Sequence, residues 1–512
     1  MPPNTQHEPS QAIVIGAGLG GLAAAMRLGA KGYQVTVLDR LARVGGRGSS
    51  ITQAGHRFAL GPTIVTVPHV YEKLWAACGR DFHADVKLIP MDPFYEMRWP
   101  DGSNFYATGD TKIMETEVAR LNPDDVPGYR KFLADSRRRY EVAFLGLMTK
   151  PMHNLWDTIK VLPIFAWLRA DQSVVTLAKK RVKDERLRMA LSFHPLFMGG
   201  DPTHSTSMYG LVSYLEKEFG VHYAMGGLQA LSDAMASVIE DQGGTLRMGV
   251  DVDEILVEDG ATAGVRLADG EELRSPLVVS NADAGFTYSH LLRNHKQRHW
   301  TRAAKTRRWS MSLFVWYFGT KGTRDMWQDV IHHTILSGPR YEAHLKDVFI
   351  TGKLADDMSI YLHRPSLTDP SVAPDGDDTF YALSPVPHLG HDNGVDWQEE
   401  EAIYKRRMAR VLNDTIPGFQ ERITTERVFT PETFRDRYRS PFGAGFSLEP
   451  RILQSAWFRP HNETRVPGLY LVGAGTHPGA GVPAVVSSAE VMDQLIGPAP
   501  NPHSQDMKMA AE

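Results

Sequence analysis

The sequence predicts an α/β fold whose central, Rossmann-like domain is assembled from separated segments of the chain. The first observation is a strand, turn and helix near the start, where an apolar run leads into Gly16-x-Gly18-x-x-Gly21. The second is Asp39, which ends the next apolar run. The third is a similar strand, glycine-rich turn and helix at 469–496. Together they predict a parallel sheet that binds a dinucleotide.

Each residue of the first motif has a physical task in such a site. Gly16 permits the tight turn, Gly18 lets the backbone approach a pyrophosphate, and Gly21 allows helix and strand to pack closely. The helix N-terminus stabilises the phosphate charge, and the Asp39 carboxylate binds ribose hydroxyls. The alternative is a glycine-rich turn in an ordinary α/β fold. The strand, the helix and the acid together favour the dinucleotide site.

Length and composition limit the class of protein. The chain has 512 residues, enough for two or three domains, and its 42% hydrophobic and 23% charged content is typical of globular proteins. A formal net charge of −4 gives no reason to expect a nucleic-acid partner. Cys78 is the only cysteine, which excludes an intramolecular disulfide and a cysteine-rich metal site. We therefore expect no metal and a cytosol-facing protein.

Two uncharged segments are not predicted to be a signal peptide or a membrane span. The first ten residues carry Glu8 but no Lys or Arg, so the apolar stretch 11–26 has no positive region before it. The segment 468–489 is long enough to cross a bilayer, but Pro478, Pro483 and five glycines interrupt it.

The pattern along the chain divides it into five segments. The nucleotide-binding domain is predicted from 1–90, 226–290 and 441–512. A mostly helical part, 91–225, and a β-rich part, 291–440, are predicted to form an inserted α+β substrate domain. The predicted helices are 127–148, 154–170, 173–191 and 228–242, and the predicted strands of the β-rich part are 312–318, 359–363 and 379–383.

A second glycine-rich turn favours a flavin over a nicotinamide cofactor. Gly473-x-Gly475 and Gly479-x-Gly481 follow a strand and open a helix near Pro483, whose N-terminus suits the polar edge of a flavin ring. The alternative is a strand–helix junction in which these glycines only pack. The chain has no second complete Gly-x-Gly-x-x-Gly, so we expect no separate NADPH domain, and quinone or oxygen as the electron acceptor.

These motifs, in this order, resemble the flavin-dependent amine-oxidase-like superfamily, in which Gly45-Gly46-Arg47 is the usual second signature. Within it, residues 11–495 resemble the bacterial-type phytoene desaturases. The segments that carry this resemblance are 61–63, 92–95, 193–200, 280–283, 454–462 and 469–482. One position departs from the pattern, because Ala59 stands where the family commonly has Asp.

The resemblance implies which residues hold FAD. The implied ligands are Gly16, Gly18 and Gly21 at the pyrophosphate, Asp39 at the adenosine ribose, Val252 at the adenine, Gly46 and Arg47 at the phosphates or flavin, Gly61, Pro62 and Thr63 at the border of the ring, and Gly473, Gly475, Gly481, Val482 and Pro483 at the flavin.

The family reaction introduces successive double bonds into 15-cis-phytoene, giving neurosporene or lycopene. The flavin accepts a hydride, and a proton leaves the neighbouring carbon. The number of steps stays open. Candidates for accepting the proton are His194, Asp201, Glu449 and His477, and the alternative for each is a structural hydrogen bond. Candidates for an apolar tunnel are Phe193, Phe197, Met198, Phe314, Trp316 and Phe318, and the alternative for each is ordinary core.

Because phytoene lives in lipid, the resemblance also implies a membrane surface as a partner. Residues 155–169 combine bulky apolar side chains with flanking cations, and a basic stretch follows at 179–183. This pattern predicts an interfacial helix on anionic lipid, with the protein peripheral on the cytoplasmic side of the cell membrane. The alternative is a helix pair packed inside the inserted domain.

Two other functions stay open from the sequence. A flavoenzyme that acts on another polyene, as an isomerase, ketolase or saturase, would share these motifs. A non-enzymatic carrier of isoprenoid lipids would share the fold, but the Gly45-Gly46-Arg47 turn and the 473–483 turn both favour a flavin.

Overall fold

The computed structural model describes residues 10–152, 154–295, 307–391 and 394–500. Its strands are β1 (Gln11–Ile15), β2 (Gln34–Asp39), β3 (Ser50–Gln53), β4 (His56–Ala59), β5 (Val65–Thr66), β6 (Leu88–Pro90), β7 (Tyr95–Arg98), β8 (Asn104–Ala107), β9 (Val221–Ala224), β10 (Thr245–Met248), β11 (Val252–Glu258), β12 (Ala261–Leu267), β13 (Glu272–Arg274), β14 (Val278–Ser280), β15 (Ser312–Thr320), β16 (His333–Leu336), β17 (Ile360–His363), β18 (Asp378–Val386), β19 (Ile423–Phe429) and β20 (Leu469–Leu471). Its α-helices are α1 (Leu19–Ala30), α2 (His69–Ala77), α3 (Phe82–Asp85), α4 (Thr111–Leu121), α5 (Val126–Arg139), α6 (Leu155–Trp167), α7 (Val174–Lys179), α8 (Glu185–Ala190), α9 (Leu211–Phe219), α10 (Leu228–Asp241), α11 (Ala284–Phe286), α12 (Tyr341–Lys346), α13 (Trp397–Asn413), α14 (Pro431–Tyr438) and α15 (Val482–Leu495).

A parallel sheet in the order β10-β2-β1-β14-β20 forms the first layer. Its strands come from the start, the middle and the end of the chain, as the sequence predicted. β1 lies at the centre and is almost wholly buried, which accounts for its run of apolar residues. Helices α10 and α15 pack against α1. The boundaries of the five predicted segments stay a prediction.

The side chain of Asn281 packs against the glycines where three segments of this sheet meet. Its amide donates a hydrogen bond to the Gly16 carbonyl at 3.4 Å. A Cβ on Gly20 or on Gly473 would lie 2.6 Å from Asn281 Oδ1, closer than such atoms approach in proteins. A Cβ on Gly21 would lie 2.0 Å from the Gly16 carbonyl oxygen. Glycine is therefore required here by close packing.

A second, mixed sheet has the order β19-β15-β18-β17-β16-β7-β8. Strands β7 and β8 belong to the segment 91–225, which the sequence predicted to be mostly helical, so the prediction is wrong over these residues. The physical reason is that each strand has four residues, too few for a clear alternation. In addition, β7 pairs in parallel with β16, which lies far along the chain.

The predicted helix 173–191 is two shorter helices, α7 and α8. The Asp125 carboxylate accepts hydrogen bonds from the Lys183 and Asp184 backbone amides, each at 2.7 Å, and holds the connection in a non-helical path. The Asp184 side chain then accepts hydrogen bonds from the first amides of α8, so a new helix begins there.

Candidate functional site

One cavity of about 1130 Å³ is lined by residues of both sheets and of α6. Gly16 and Asp39 belong to the rim of the first sheet, Tyr361 to the second sheet, and Leu162 to α6. Ordinary ligand pockets measure roughly 300–1,000 Å³. The cavity is therefore slightly larger than the usual pocket for one small molecule.

The predicted dinucleotide residues divide into those that line the cavity and those that pack behind it. Gly16, Gly18, Asp39 and Val252 line the cavity. Gly21 is not among the lining residues, because it faces the Gly16 carbonyl and lets α1 approach β1. Its position fits the packing role that the motif predicts.

The Asp39 carboxylate is fixed by two backbone amides. Oδ2 accepts a hydrogen bond from the Ala17 amide at 2.7 Å, and Oδ1 accepts one from the Leu41 amide at 2.8 Å. Burial raises the pKa of Asp39, while the two amides and the charge of Arg40 lower it. Each oxygen keeps a second lone pair, which can accept a hydrogen bond from a hydroxyl in the cavity.

Arg47 is a half-buried cation at the cavity wall. Its guanidinium carbon lies 5.5 Å from the centre of the Tyr438 ring, and the guanidinium donates a hydrogen bond to the Ser440 hydroxyl. Burial lowers the pKa of Arg47, and the negative charge of Asp283, which also lines the cavity, raises it. Arg47 thus offers a cation at the cavity wall, and its contact with the phosphates or flavin, which the resemblance implies, stays a prediction.

The segment Gly61-Pro62-Thr63 borders the cavity beside Arg47. All three residues line the cavity. A Cβ on Gly61 would lie 2.4 Å from the Arg47 carbonyl oxygen, so the two turns are in backbone contact. Gly46 also lines the cavity, and a Cβ there would lie 3.2 Å from the Gly18 Cα.

The C-terminal glycines separate into two groups. Gly481, Val482 and Pro483 line the cavity where α15 begins. Gly473 and Gly475 are not among the lining residues, so their predicted contact with a flavin is not supported by the structure. A Cβ on Gly473 would meet Asn281, which follows β14, and one on Gly475 would lie 2.9 Å from the Ala284 amide nitrogen at the start of α11. These contacts fit the packing alternative, and the predicted contact with a flavin stays a prediction.

Two of the four candidate proton acceptors line the cavity. His477 Nε2 donates a hydrogen bond to the Leu147 carbonyl at 3.2 Å, and burial lowers the pKa of His477 to about 4. His194 Nε2 lies 3.1 Å from Glu216 Oε2, and the Tyr95 hydroxyl donates to the same oxygen at 3.1 Å. Both histidines are buried.

Asp201 and Glu449 are not among the lining residues and face structural partners instead. Asp201 Oδ2 lies 2.6 Å from His204 Nδ1. Glu449 Oε2 accepts a hydrogen bond from Arg451 Nε at 2.8 Å, which opposes the upward shift that burial causes in the Glu449 pKa. Neither carboxylate is placed to take a proton from a molecule in the cavity. The structure therefore does not support Asp201 or Glu449 as the proton acceptor.

A family model for flavin containing amine oxidoreductases matches residues 19–490. The chain belongs to this family. Over 495 residues, 96% of each chain, it is 66% identical to the phytoene desaturase (neurosporene-forming) of Cereibacter sphaeroides. Over 496 residues, 96% of this chain and 98% of the relative, it is 42% identical to the phytoene desaturase (lycopene-forming) of a Paracoccus species. An oxidoreductase structure from Methanosarcina mazei has a TM-score of 0.61 at 18% identity, covers 95% of this chain and 99% of its own, and shows a shared fold.

As a member of this flavin oxidoreductase family, the chain is an FAD-dependent oxidoreductase. The cavity residues fit FAD, because Asp39 offers an acceptor for ribose hydroxyls and Arg47 a cation for the pyrophosphate. The turn at 61–63 and the start of α15 leave an apolar space in which a flavin ring can lie. The roles of the individual residues stay predictions.

The apolar part of the flavoprotein's cavity is lined by only half of the predicted tunnel residues. Phe193, Phe197 and Met198 line it, whereas Phe314, Trp316 and Phe318 do not. Successive side chains of a strand point to opposite faces, and these three residues of β15 pack in the core beneath α13. The Phe314 ring, for example, is stacked with that of Trp397, 5.7 Å between centres.

Sequence reasoning missed the polar residues of the second sheet that reach the cavity. His333 of β16 and Tyr361 of β17 line it, and so does Tyr381 of β18. The Tyr361 hydroxyl lies 2.6 Å from Thr63 Oγ1 and 2.7 Å from His333 Nδ1. The available signal was alternation: in β16, His333 and Ile335 share the face that lines the cavity.

Helix α6 carries an apolar surface at the other end of the cavity. Leu162, Phe165 and Ala166 line the cavity, while Trp156 and Trp167 are 67% and 65% exposed. The nearby pair Ile452 and Leu453 lines the cavity and is exposed as well. Among the described helices, none is both long and apolar enough to cross a membrane.

We expect the Asp39→Asn variant to bind FAD about 10- to 100-fold more weakly than the wild type. The amide NH2 cannot accept a hydrogen bond, so it leaves Ala17 or Leu41 unpaired and weakens the ribose contact, and hydrogen bonds to charged groups are worth about 1.5–3 kcal/mol. Titration of the FAD-free protein, followed by flavin fluorescence, measures this. Asp241→Asn, at a side chain that is 62% exposed, is the control. Unchanged affinity in Asp39→Asn would contradict the assigned position of the adenosine.

Proposed function

We propose that this chain is an FAD-dependent phytoene desaturase that introduces successive double bonds into 15-cis-phytoene. The observation that carries the proposal is that the same cavity is lined by Asp39 and by apolar residues as far as α6. The likeness to curated phytoene desaturases over 96% of the chain supports the substrate. A soluble-substrate oxidase would have no need of an apolar region of this extent.

The chain's own residues bind and align the substrate. Phytoene is a hydrocarbon, so Phe193, Phe197 and Met198 can hold it only by apolar contact. When FAD is bound, it supplies a hydride acceptor. The protein then has to hold an allylic carbon beside the space bordered by Thr63 and Val482, because a small displacement of the reacting atoms lowers the rate strongly.

Neurosporene is the end product that we propose. The support is that the neurosporene-forming relative is 66% identical and the lycopene-forming one 42% identical, each over 96% of this chain. Quinone or oxygen is proposed as the final electron acceptor.

Reconstitution tests the proposed reaction directly. Liposomes that contain 15-cis-phytoene, mixed with the protein, FAD and either oxygen or a quinone, are expected to yield a coloured polyene with the spectrum of neurosporene. Omission of FAD is the control and is expected to leave phytoene unchanged. Unchanged phytoene with flavin bound would point to another polyene substrate, and a protein that binds no flavin would favour a lipid carrier.

We further propose that α6 lies at a membrane surface, with the protein peripheral on the cytoplasmic side of the cell membrane. The support is the exposed apolar face of α6, which is continuous with residues that line the cavity. Exposed Trp and Leu beside cations favour the interface of an anionic bilayer. A substrate dissolved in lipid would then enter the cavity beside Leu162 and Phe165 without crossing water.

The double variant Leu155→Glu/Trp156→Glu is expected to lose most binding to anionic liposomes. Both side chains are exposed on α6, and neither lines the cavity. Burying such a side chain contributes about 1.5–3 kcal/mol, so each loss lowers partitioning about 10-fold or more. Flotation of the FAD-loaded protein with anionic liposomes measures this loss of binding.

The matched control is Ile113→Glu/Leu367→Glu, at two exposed apolar residues away from α6. We expect this control to float like the wild type. Equal flotation of the α6 variant and the control would contradict membrane contact through α6.

A further inference from the structure

A hydrogen-bonded chain leads from the cavity wall into the second sheet. Thr63 Oγ1, the Tyr361 hydroxyl and His333 Nδ1 are linked at 2.6 Å and 2.7 Å. All three residues line the cavity. His333 is 2% exposed, and its other ring nitrogen, Nε2, has no hydrogen-bond partner among the described residues.

Two more histidines pack beside His333, and among the described residues no hydrogen bond joins either of them to it. The His333 and His363 rings are stacked with their centres 5.1 Å apart, and the His332 ring centre lies 4.3 Å from that of His333. His363 Nε2 lies 3.0 Å from His332 Nε2. One nitrogen of each of the three rings lies within 4.8 Å of the others.

The path ends at groups that can exchange protons with water. His332 Nδ1 lies 2.6 Å from Thr368 Oγ1, and Thr368 is half-buried at the end of a short turn. His363 borders a second void of about 20 Å³, which Thr63, Arg57 and Gln229 also line.

We propose that Tyr361 and His333 accept the proton that the substrate loses, and that it leaves toward solvent across the gap of up to 4.8 Å between His333 and the pair His363 and His332, and then past Thr368. The proposal rests on the desaturase function proposed above. After hydride loss to FAD, a C–H bond beside the cationic carbon breaks, and its electron pair becomes the new double bond. The proton passes to the Tyr361 oxygen while the Tyr361 hydroxyl proton passes to His333 Nδ1.

Burial prepares these groups as acceptors. It lowers the pKa of His332 to about 3 and the pKa of His333 and His363 well below the usual value, so all three rings are neutral at physiological pH. The charge of Asp369 opposes this shift at His332. A weak base is sufficient, because a C–H bond beside a carbocation is far more acidic than an imidazolium.

The exit path distinguishes this chain from the other buried histidines at the cavity. His194 lies in a closed group with Glu216 and Tyr95, all three of them buried. His477 Nε2 is occupied by the Leu147 carbonyl. A base that serves repeated dehydrogenations has to release each proton. His332, whose ring packs against that of His333 without a hydrogen bond to it, reaches the half-buried Thr368 hydroxyl.

Single-turnover bleaching of the flavin by phytoene in liposomes, under anaerobic conditions, tests the proposal. General base catalysis contributes a factor of roughly 10² to 10⁴ to a reaction rate. We expect the bleaching rate of Tyr361→Phe and of His333→Gly to fall by a factor in that range, with FAD affinity unchanged. The bleaching rate of Thr368→Val is expected to fall less, because this variant removes only the hydroxyl at the end of the path toward solvent. Tyr404→Phe and His344→Asn are matched controls: each is a buried ring away from the cavity.

Two further readouts separate a relay from a structural role. Added imidazole is expected to restore bleaching in His333→Gly but not in Tyr361→Phe. Nitrogen NMR of the histidine-labelled, FAD-free protein is expected to show a changed His333 tautomer in Tyr361→Phe and not in Tyr404→Phe.

Four results would overturn the relay while leaving the desaturase function intact, provided that the wild type forms product. The first is that Tyr361→Phe and His333→Gly bleach the flavin at the wild-type rate, and the second is that imidazole does not restore bleaching in His333→Gly. The third is that only His194→Asn loses bleaching rate to a comparable extent. The fourth is a stoichiometric transition metal in the purified protein. A metal on the three histidines would occupy the nitrogens that the relay needs. A wild type that leaves phytoene unchanged would instead refute the proposed function.

Discussion

The close packing of glycine backbone around Asn281 is the constraint on which the rest of the structure depends. Asn281 follows β14, and its side chain meets glycines of the β1–α1 turn and of the segment after β20. Any Cβ at Gly20 or Gly473 would separate these strands. The contact therefore fixes both the start of α1 and the approach to α15, and with them the two helix ends that face the cavity.

The cavity divides its chemistry between its two ends. At the nucleotide end, half-buried charges are held by named partners: Asp39 by two backbone amides, and Arg47 by Ser440 and the charge of Asp283. At α6 the lining side chains Leu162 and Phe165 are apolar, although Arg169 and Asp171 line the cavity directly after the helix. The polar chain from Thr63 to His333 lies between these regions, where the proposed reaction produces a proton.

The nucleotide end of the cavity could be predicted from the sequence because the whole pattern lies within the first 39 residues. The glycine motif, the helix that follows it and the carboxylate of Asp39 are all close together in the chain. Asp201 and Glu449 had suitable chemistry, but their orientation toward His204 and Arg451 is set by tertiary contacts that no motif records. On β15, the sequence does not tell which face meets the cavity, and the predicted tunnel residues Phe314, Trp316 and Phe318 lie in the core instead. Tyr361 and His333 come together only through pairing of β16 with β17.

The account's central claim is that one cavity holds FAD and a carotene together. An experimental structure of the FAD-loaded protein with a bound carotene, in a lipid nanodisc, tests it most directly. The account predicts the adenosine between Asp39 and Val252, the flavin ring between Thr63 and Val482, and the polyene running from that ring to Leu162 of α6. A flavin ring turned toward solvent, or a carotene bound outside the cavity, would contradict it.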